Sequence, residues 1–181
     1  MIDVSDTYLS PYFLSFLENA MSTPAPTEQF KALDACHQQI QEHLVGLQRM
    51  ASHMESQGLN DADRHQAGEI EAFFSSTSRE HHEQEEKHVF PPLLATGSEE
   101  MKSVVRSLQQ DHGFIEENWI ELGPQLRAIA EGNDWFDAAE FQHNVSLFLE
   151  LMNGHIALEE SMIYPESKAI WADAIAKRIA R

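Results

Sequence analysis

Two short stretches of this sequence carry residues of the types that bind metal ions. The first runs from His81 to Pro91 and the second from His155 to Pro165, and both read His-x-x-x-Glu-Glu-x-x-x-aromatic-Pro. On a helix, residues four positions apart lie on one face, one turn from each other. Each stretch therefore directs an imidazole and a carboxylate toward the same point, which is how a helix holds a metal ion.

Apolar residues that recur at alternating three- and four-residue spacing predict the four long helices that position these side chains. Turns at Gly58, Gly97 and Gly132 separate the helices, and Asp134 is the predicted N-cap of the fourth. No strand pattern is visible. The predicted fold is all-α, an up-down-up-down four-helix bundle with a short extra helix at each end.

The chain divides into three predicted segments. Residues 1–26 contain a short N-terminal helix, over residues 11–21, and a linker. Residues 27–165 form the bundle, whose second helix is expected to run as one element from about 62 to 90. Residues 166–181 form a separate C-terminal helix.

Each predicted bundle helix carries one inward histidine. Counted from the turns at about 1.5 Å per residue, the four histidines lie at nearly one height along the bundle. The sequence also repeats, because His81 follows His37 by 44 positions and His155 follows His112 by 43. Two related hairpins are therefore expected to bring one set of side chains to a single site: His37, His81, Glu85, His112, His155 and Glu159.

The two inward carboxylates need a positive partner, because burying an ionised carboxylate alone costs several kcal/mol. The inward faces that carry Glu85 and Glu159 contain no Lys or Arg. A single inward histidine is usually a hydrogen-bonded core residue. Four of them at one level, together with two carboxylates, favour a metal site instead.

The donor types limit which metal the site takes. Imidazole and carboxylate without thiolate suit non-heme iron, manganese or zinc, and Cys36 points away from the inward face as a packed thiol. Four His and two Glu exceed the ligand number of tetrahedral zinc, and suit two ions bridged by both carboxylates. The order His-x-x-x-Glu also differs from the Glu-x-x-His of ferritin-like proteins.

The paired stretches, with His37 and His112 alone on the alternate helices, resemble the hemerythrin-like, or HHE cation-binding, domain family. The resemblance covers about residues 27–165. It implies a non-heme diiron centre in which Glu85 and Glu159 bridge the two irons and the four histidines are terminal ligands, with iron preferred to manganese or zinc. It further implies a protein that binds oxygen, senses oxygen or redox state, responds to nitric oxide, or handles iron.

Four residues leave alternatives open. Oxygen-carrying hemerythrins have a His-x-x-x-His pair on the third helix, whereas here Glu116 stands one turn beyond His112. Glu116 is a candidate additional ligand, with a hydrogen bond to a ligand or solvation at the bundle edge as its alternative roles. His88 is a second candidate, with packing as its alternative role. His82 and Glu86 form another pair four positions apart, about 100° around the helix, and are an alternative register for the site.

Charge and composition narrow the function classes. A net charge of −18 over 181 residues disfavours binding to nucleic acid and to anionic membranes. The partner that the family resemblance implies is a small gas, oxygen or nitric oxide. One cysteine excludes an intramolecular disulfide, and the chain shows no signal-peptide pattern or long apolar run, so we expect a cytoplasmic protein. A gas-binding or sensing protein is the preferred interpretation. The alternatives are a diiron enzyme acting on oxygen, peroxide or nitric oxide species, an iron-handling protein, and a metal-free helical interaction module.

Overall fold

The computed structural model describes residues 26–133 and 135–179, and these residues form helices and turns with no β-strand. The N-terminal helix predicted over residues 11–21 lies outside the described part. Within the described residues, no helix combines the length and the apolar character needed to cross a membrane.

Four antiparallel columns form the bundle, and the second and fourth each contain a π-helical turn. Around the bundle, α1 packs on α2, α2 on α5, α5 on α6, and α6 on α1, which closes the ring and confirms the all-α, up-down-up-down arrangement. The elements are α1 (Pro26–Ser56), α2 (Asp61–Ser75), α3 (Thr77–Gln84), the first π segment (Glu85–Val89), α4 (Phe90–Thr96), α5 (Glu99–Ala130), α6 (Ala138–Leu158), the second π segment (Glu159–Ile163) and α7 (Tyr164–Ile179).

The helix ends follow the expected chemistry in part. The Ser98 hydroxyl accepts a hydrogen bond from the Met101 N–H at the start of α5, as an N-cap does. The N-cap of α6 is Asp137, whose side chain accepts from two backbone N–H groups, and not Asp134, which lies outside the described residues. Both acids are close to the turn, so composition alone did not distinguish them.

The apolar spacing predicted one continuous helix for the second column, and this prediction is wrong. The backbone leaves helical geometry at Ser76 (φ −130°, ψ −75°), and α3 starts afresh at Thr77. As a result Ser78 is buried and Thr77 is exposed. The fourth column also runs on through α7, so the C-terminal helix is not a separate element.

A π-helical turn begins at the same place in both repeats, at the first Glu of the Glu-Glu pair. The N–H of Phe90 donates to the Glu85 carbonyl, and the N–H of Tyr164 donates to the Glu159 carbonyl, five residues back. A π turn holds one residue more than the hydrogen bonding of an α-helix allows, and such turns are frequent at functional sites. The extra residue rotates the helix beyond the turn, so that Phe90 is buried and His88, expected on the inward face, is only half-buried.

Two apolar clusters fill the bundle above and below the level of the histidines. On α1, His37 lies between Leu33 of one cluster and Ile40 of the other. The same order holds on the remaining columns, so the polar layer is closed at both ends by packed hydrocarbon. The charges within it are therefore shielded from water.

Candidate metal centre

The polar layer holds all six side chains that the sequence predicted to converge. Their exposed fractions run from 0% for the two carboxylates to 8% for His112. The four histidines come from four different columns, and Glu85 and Glu159 each begin a π segment. The bundle therefore forms one buried site from all four columns.

The ligand atoms form two groups that share a carboxylate, and within each group they lie no more than 4.8 Å apart. What we call the first position is surrounded by His37, His81, Glu85 and Glu159. The second position is surrounded by His82, Glu85, His112 and His155. Each group has the composition of an imidazole and carboxylate metal site.

Each carboxylate faces both positions, with one oxygen toward each. Glu85 Oε1 lies 3.3 Å from His81 Nε2, and Glu85 Oε2 lies 3.6 Å from His112 Nε2. Glu159 Oε2 lies 3.2 Å from His37 Nε2, and Glu159 Oε1 lies 3.1 Å from His155 Nε2. Adjacent ligands of an ion bound at about 2.1 Å stand about 3 Å apart, so these separations suit cations between the side chains.

Most of these atoms have no hydrogen-bond partner in the described structure. Buried polar atoms are normally hydrogen-bonded, so a concentration of unpaired ones requires an explanation. Bound cations would use their lone pairs, and the residues present therefore fit a metal centre. The unpaired atoms of the layer include His81 Nε2, His82 Nε2, Glu85 Oε2, His112 Nε2, His155 Nε2 and both carboxylate oxygens of Glu159.

Without a cation, burial and the neighbouring charges shift the pKa values of the side chains in the layer, and the two carboxylates do not both ionise readily. Burial, followed by the charge of His37, lowers the pKa of His81 to about 3, so this imidazole is neutral and able to bind a metal. Burial and then the neighbouring charge of Glu159 raise the pKa of Glu85 to about 8. Burial acts in the same direction on Glu159, but the proximity of His155 and His37 outweighs it and lowers that pKa. Two cations would allow both carboxylates to ionise.

The second Glu of each pair has a role that sequence reasoning missed. Glu86 Oε1 accepts a hydrogen bond from His112 Nδ1 at 2.8 Å, and Glu160 Oε1 accepts one from His37 Nδ1 at 3.1 Å. A carboxylate that accepts from Nδ1 fixes the ring orientation and directs the Nε2 lone pair toward the centre. The Glu-Glu doublet in both stretches was the signal that could have revealed it.

Both His81 and His82 lie in the layer, so His82 is present in addition to His81 and does not replace it. The two rings serve different positions, His81 the first and His82 the second. Neighbours on a helix diverge by about 100°, which a single ion cannot accommodate but two adjacent positions can. Glu86, the proposed partner of His82 in the alternative register, lies outside both groups and is half-exposed.

The remaining candidates do not reach either position. Glu116 forms an ion pair with Arg79 at 2.6 Å near the surface, and is absent from both groups of ligand atoms within the described residues. His88 is absent from both groups as well and lines a cavity beside the layer. Ligation by Glu116 would require that it release Arg79 and turn inward.

The Hemerythrin HHE cation binding domain family matches residues 29–167 of the chain, and the chain belongs to this family. It is also similar to an uncharacterized protein of Haemophilus influenzae (strain ATCC 51907 / DSM 11121 / KW20 / Rd). The two are 27% identical over 149 residues, which cover 82% of this chain and 84% of that protein. No solved structure is a significant match. The fold, the His and Glu layer and the family together define a metal-binding protein.

Removing the orienting carboxylate at the second position is expected to weaken metal binding without abolishing it. Glu86→Ala frees the His112 ring to rotate and lowers its basicity, and such losses typically reduce metal affinity about 10- to 100-fold. Competition with a chelator of known affinity measures the change. The matched control is Glu83→Ala, an exposed Glu nearby that pairs with Lys87. Equal affinities in the two variants would contradict the role of Glu86.

Proposed function

We propose that this chain is a non-heme diiron protein that binds or senses oxygen, redox state or nitric oxide. The observation that carries the proposal is the pair of adjacent ligand groups joined through Glu85, whose second oxygen faces the neighbouring position. With Glu159 in the same arrangement, two ions would be bridged by two carboxylates, and iron supplies the reversible redox chemistry that oxygen or nitric oxide requires.

Several properties of the donors support iron over zinc. With Glu159 counted at both positions, the second position has five donor residues, which exceeds the four ligands of a tetrahedral zinc site. The donors are imidazole nitrogens and carboxylate oxygens, and the thiol of Cys36 is not among them. Burial and the charge of Glu85 raise the pKa of Cys36 to about 11, so this side chain stays a neutral thiol. We rank zinc below iron on these grounds, and manganese below iron because imidazole-rich donor sets suit iron whereas manganese prefers oxygen donors.

The proposal also specifies partners and location. A small gas is the proposed ligand, and the net charge of −18 supports neither nucleic acid nor an anionic membrane as a partner. A cytoplasmic location is part of the proposal, because a lone cysteine gives no sign of an oxidising compartment.

Anaerobic reconstitution with ferrous iron tests the proposal directly. We expect about two iron ions per chain, and optical spectra that change when oxygen or nitric oxide is admitted. Reversal of the oxygen-dependent change under vacuum would identify binding, and persistent oxidation would identify sensing of redox state. A chain that retains no iron after mild purification and reconstitution would contradict the proposal and favour a metal-free interaction module.

A diiron enzyme is the second candidate, and one observation favours it. A cavity of about 400 Å³ opens beside the first position, with His81, Cys36, Leu33 and His88 among its lining residues. Such a cavity would admit a molecule larger than a diatomic gas to the side of the centre. Consumption of peroxide or of nitric oxide species over many turnovers by the iron-loaded chain would support this candidate.

A further inference from the structure

The hydroxyl of Tyr164 enters the polar layer at the first position. Its oxygen donates a hydrogen bond to Glu85 Oε1 at 2.5 Å and lies 3.1 Å from His37 Nε2. The Tyr164 ring stacks on the His37 ring, with centroids 5.1 Å apart and planes 9° from parallel. Only 2% of the residue is exposed, so this contact is closed to water.

The other repeat has no such hydroxyl. Phe90 stands at the position that corresponds to Tyr164, and its ring stacks on His112 with centroids 5.7 Å apart and planes 20° from parallel. The aromatic ring is thus common to both halves, and the hydroxyl is confined to one. The two positions differ in this donor as well as in His82, whose counterpart in the second repeat is Ile156.

The π segment is what turns Tyr164 inward. This residue directly follows the segment Glu159–Ile163, and its N–H closes the wide turn on the Glu159 carbonyl. The extra residue in that turn places Tyr164 on the buried face and leaves Met162 half-buried. The hydrogen bond to Glu85 also joins the two repeats, since Glu85 belongs to the other hairpin.

The hydroxyl is a donor here and not an anion. The pKa of a phenol is ordinarily about 10, so the hydroxyl keeps its proton at neutral pH. His37 Nδ1 donates to Glu160, so in the neutral ring the Nε2 atom holds the lone pair that would bind the metal, which leaves Glu85 Oε1 as the acceptor of the Tyr164 proton. A hydrogen bond to a carboxylate oxygen withdraws negative charge from it.

We propose that Tyr164 is a positioning residue that makes the two metal positions unequal, because its hydroxyl hydrogen-bonds the Glu85 oxygen that faces the first position. This inference rests on the proposed diiron centre. With less negative charge on that oxygen, the first position stabilises the ferric state less, and its reduction potential is higher than it would be without the hydroxyl.

The test compares the iron-loaded full chain with Tyr164→Phe, which keeps the ring and reproduces the Phe of the other repeat. We expect the ratio of ferric to ferrous affinity at one position to rise about tenfold in the variant, which lowers one midpoint potential by about 59 mV for a one-electron couple. Potentiometric titration followed by optical spectra measures it. The matched control is Ser167→Ala, which deletes another fully buried hydroxyl of α7 and should leave both potentials unchanged.

Two outcomes would overturn the inference while leaving the diiron proposal intact. One is two bound irons with unchanged potentials in Tyr164→Phe. The other is a visible charge-transfer band in the wild type that the variant lacks, because such a band would make the phenol oxygen a metal ligand and not a donor. A wild-type chain that binds no iron would instead refute the diiron proposal itself.

Discussion

Glu85→Ala and Glu159→Ala are each expected to lose both metal ions. Each carboxylate turns one oxygen toward each position, so its removal takes a ligand from two ions at once. It also removes a negative charge that offsets the two cations inside a dry layer. Metal analysis after reconstitution and desalting measures the loss, and circular dichroism establishes whether the helices remain.

The isosteric variant and a neighbouring variant make this prediction sharper. Glu85→Gln keeps the volume and loses the charge, so we expect it to lose iron as well, with little change in packing. Glu83→Ala, two residues earlier on the exposed face, should keep both ions. Full iron occupancy in Glu85→Gln or in Glu159→Ala would mean that these carboxylates do not bridge.

Removal of the metal is expected to lower the melting temperature by about 10 °C or more. A ligand that binds only the folded state, present at 100 times its dissociation constant, stabilises the fold by about 2.7 kcal/mol per site. Each kcal/mol corresponds to about 2–4 °C for a domain of this size. Differential scanning calorimetry of the loaded and chelated chains measures the difference, and identical melting temperatures would count against a buried centre.

This difference should widen as the pH rises from about 6.5 to 8. In the metal-free chain the pKa of Glu85 is raised to about 8, so the folded state holds a proton that the unfolded state has released, and stability falls as the pH rises through this window. The raised pKa values of His37 and His112 act with the same sign above their ordinary 6.5. Bound cations replace these protons, so the loaded chain should not show this loss. Melting curves at several pH values test it, and parallel curves would contradict it.

Side-chain periodicity was sufficient to predict the bundle and the converging set. His37 and His112 fall in regular α-helix, where counting at 3.6 residues per turn gives the right face. His81 and His155 precede the π turn in their columns, and Glu85 and Glu159 are its first residues, so the same counting held for them too. The family resemblance rested on these residues, and the match over residues 29–167 confirmed it. That the six side chains ligate iron remains a prediction.

Beyond Glu85 and Glu159 the counting failed, because each π turn adds a residue to the helix. That shift turned His88 away from the centre and brought Tyr164 to it. The shift arises because backbone N–H groups donate to the carbonyl five residues back and not four. The apolar pattern of the sequence does not show where this happens.

The roles of His82, Glu86 and Glu160 also depended on distances between columns, since each acts across the bundle on a residue or position far away in sequence. The sequence by itself determined which helix faces meet and what donors they bring. Only the tertiary structure decided how the donors divide between two positions, because that division is set by the packing distance and rotation of whole helices.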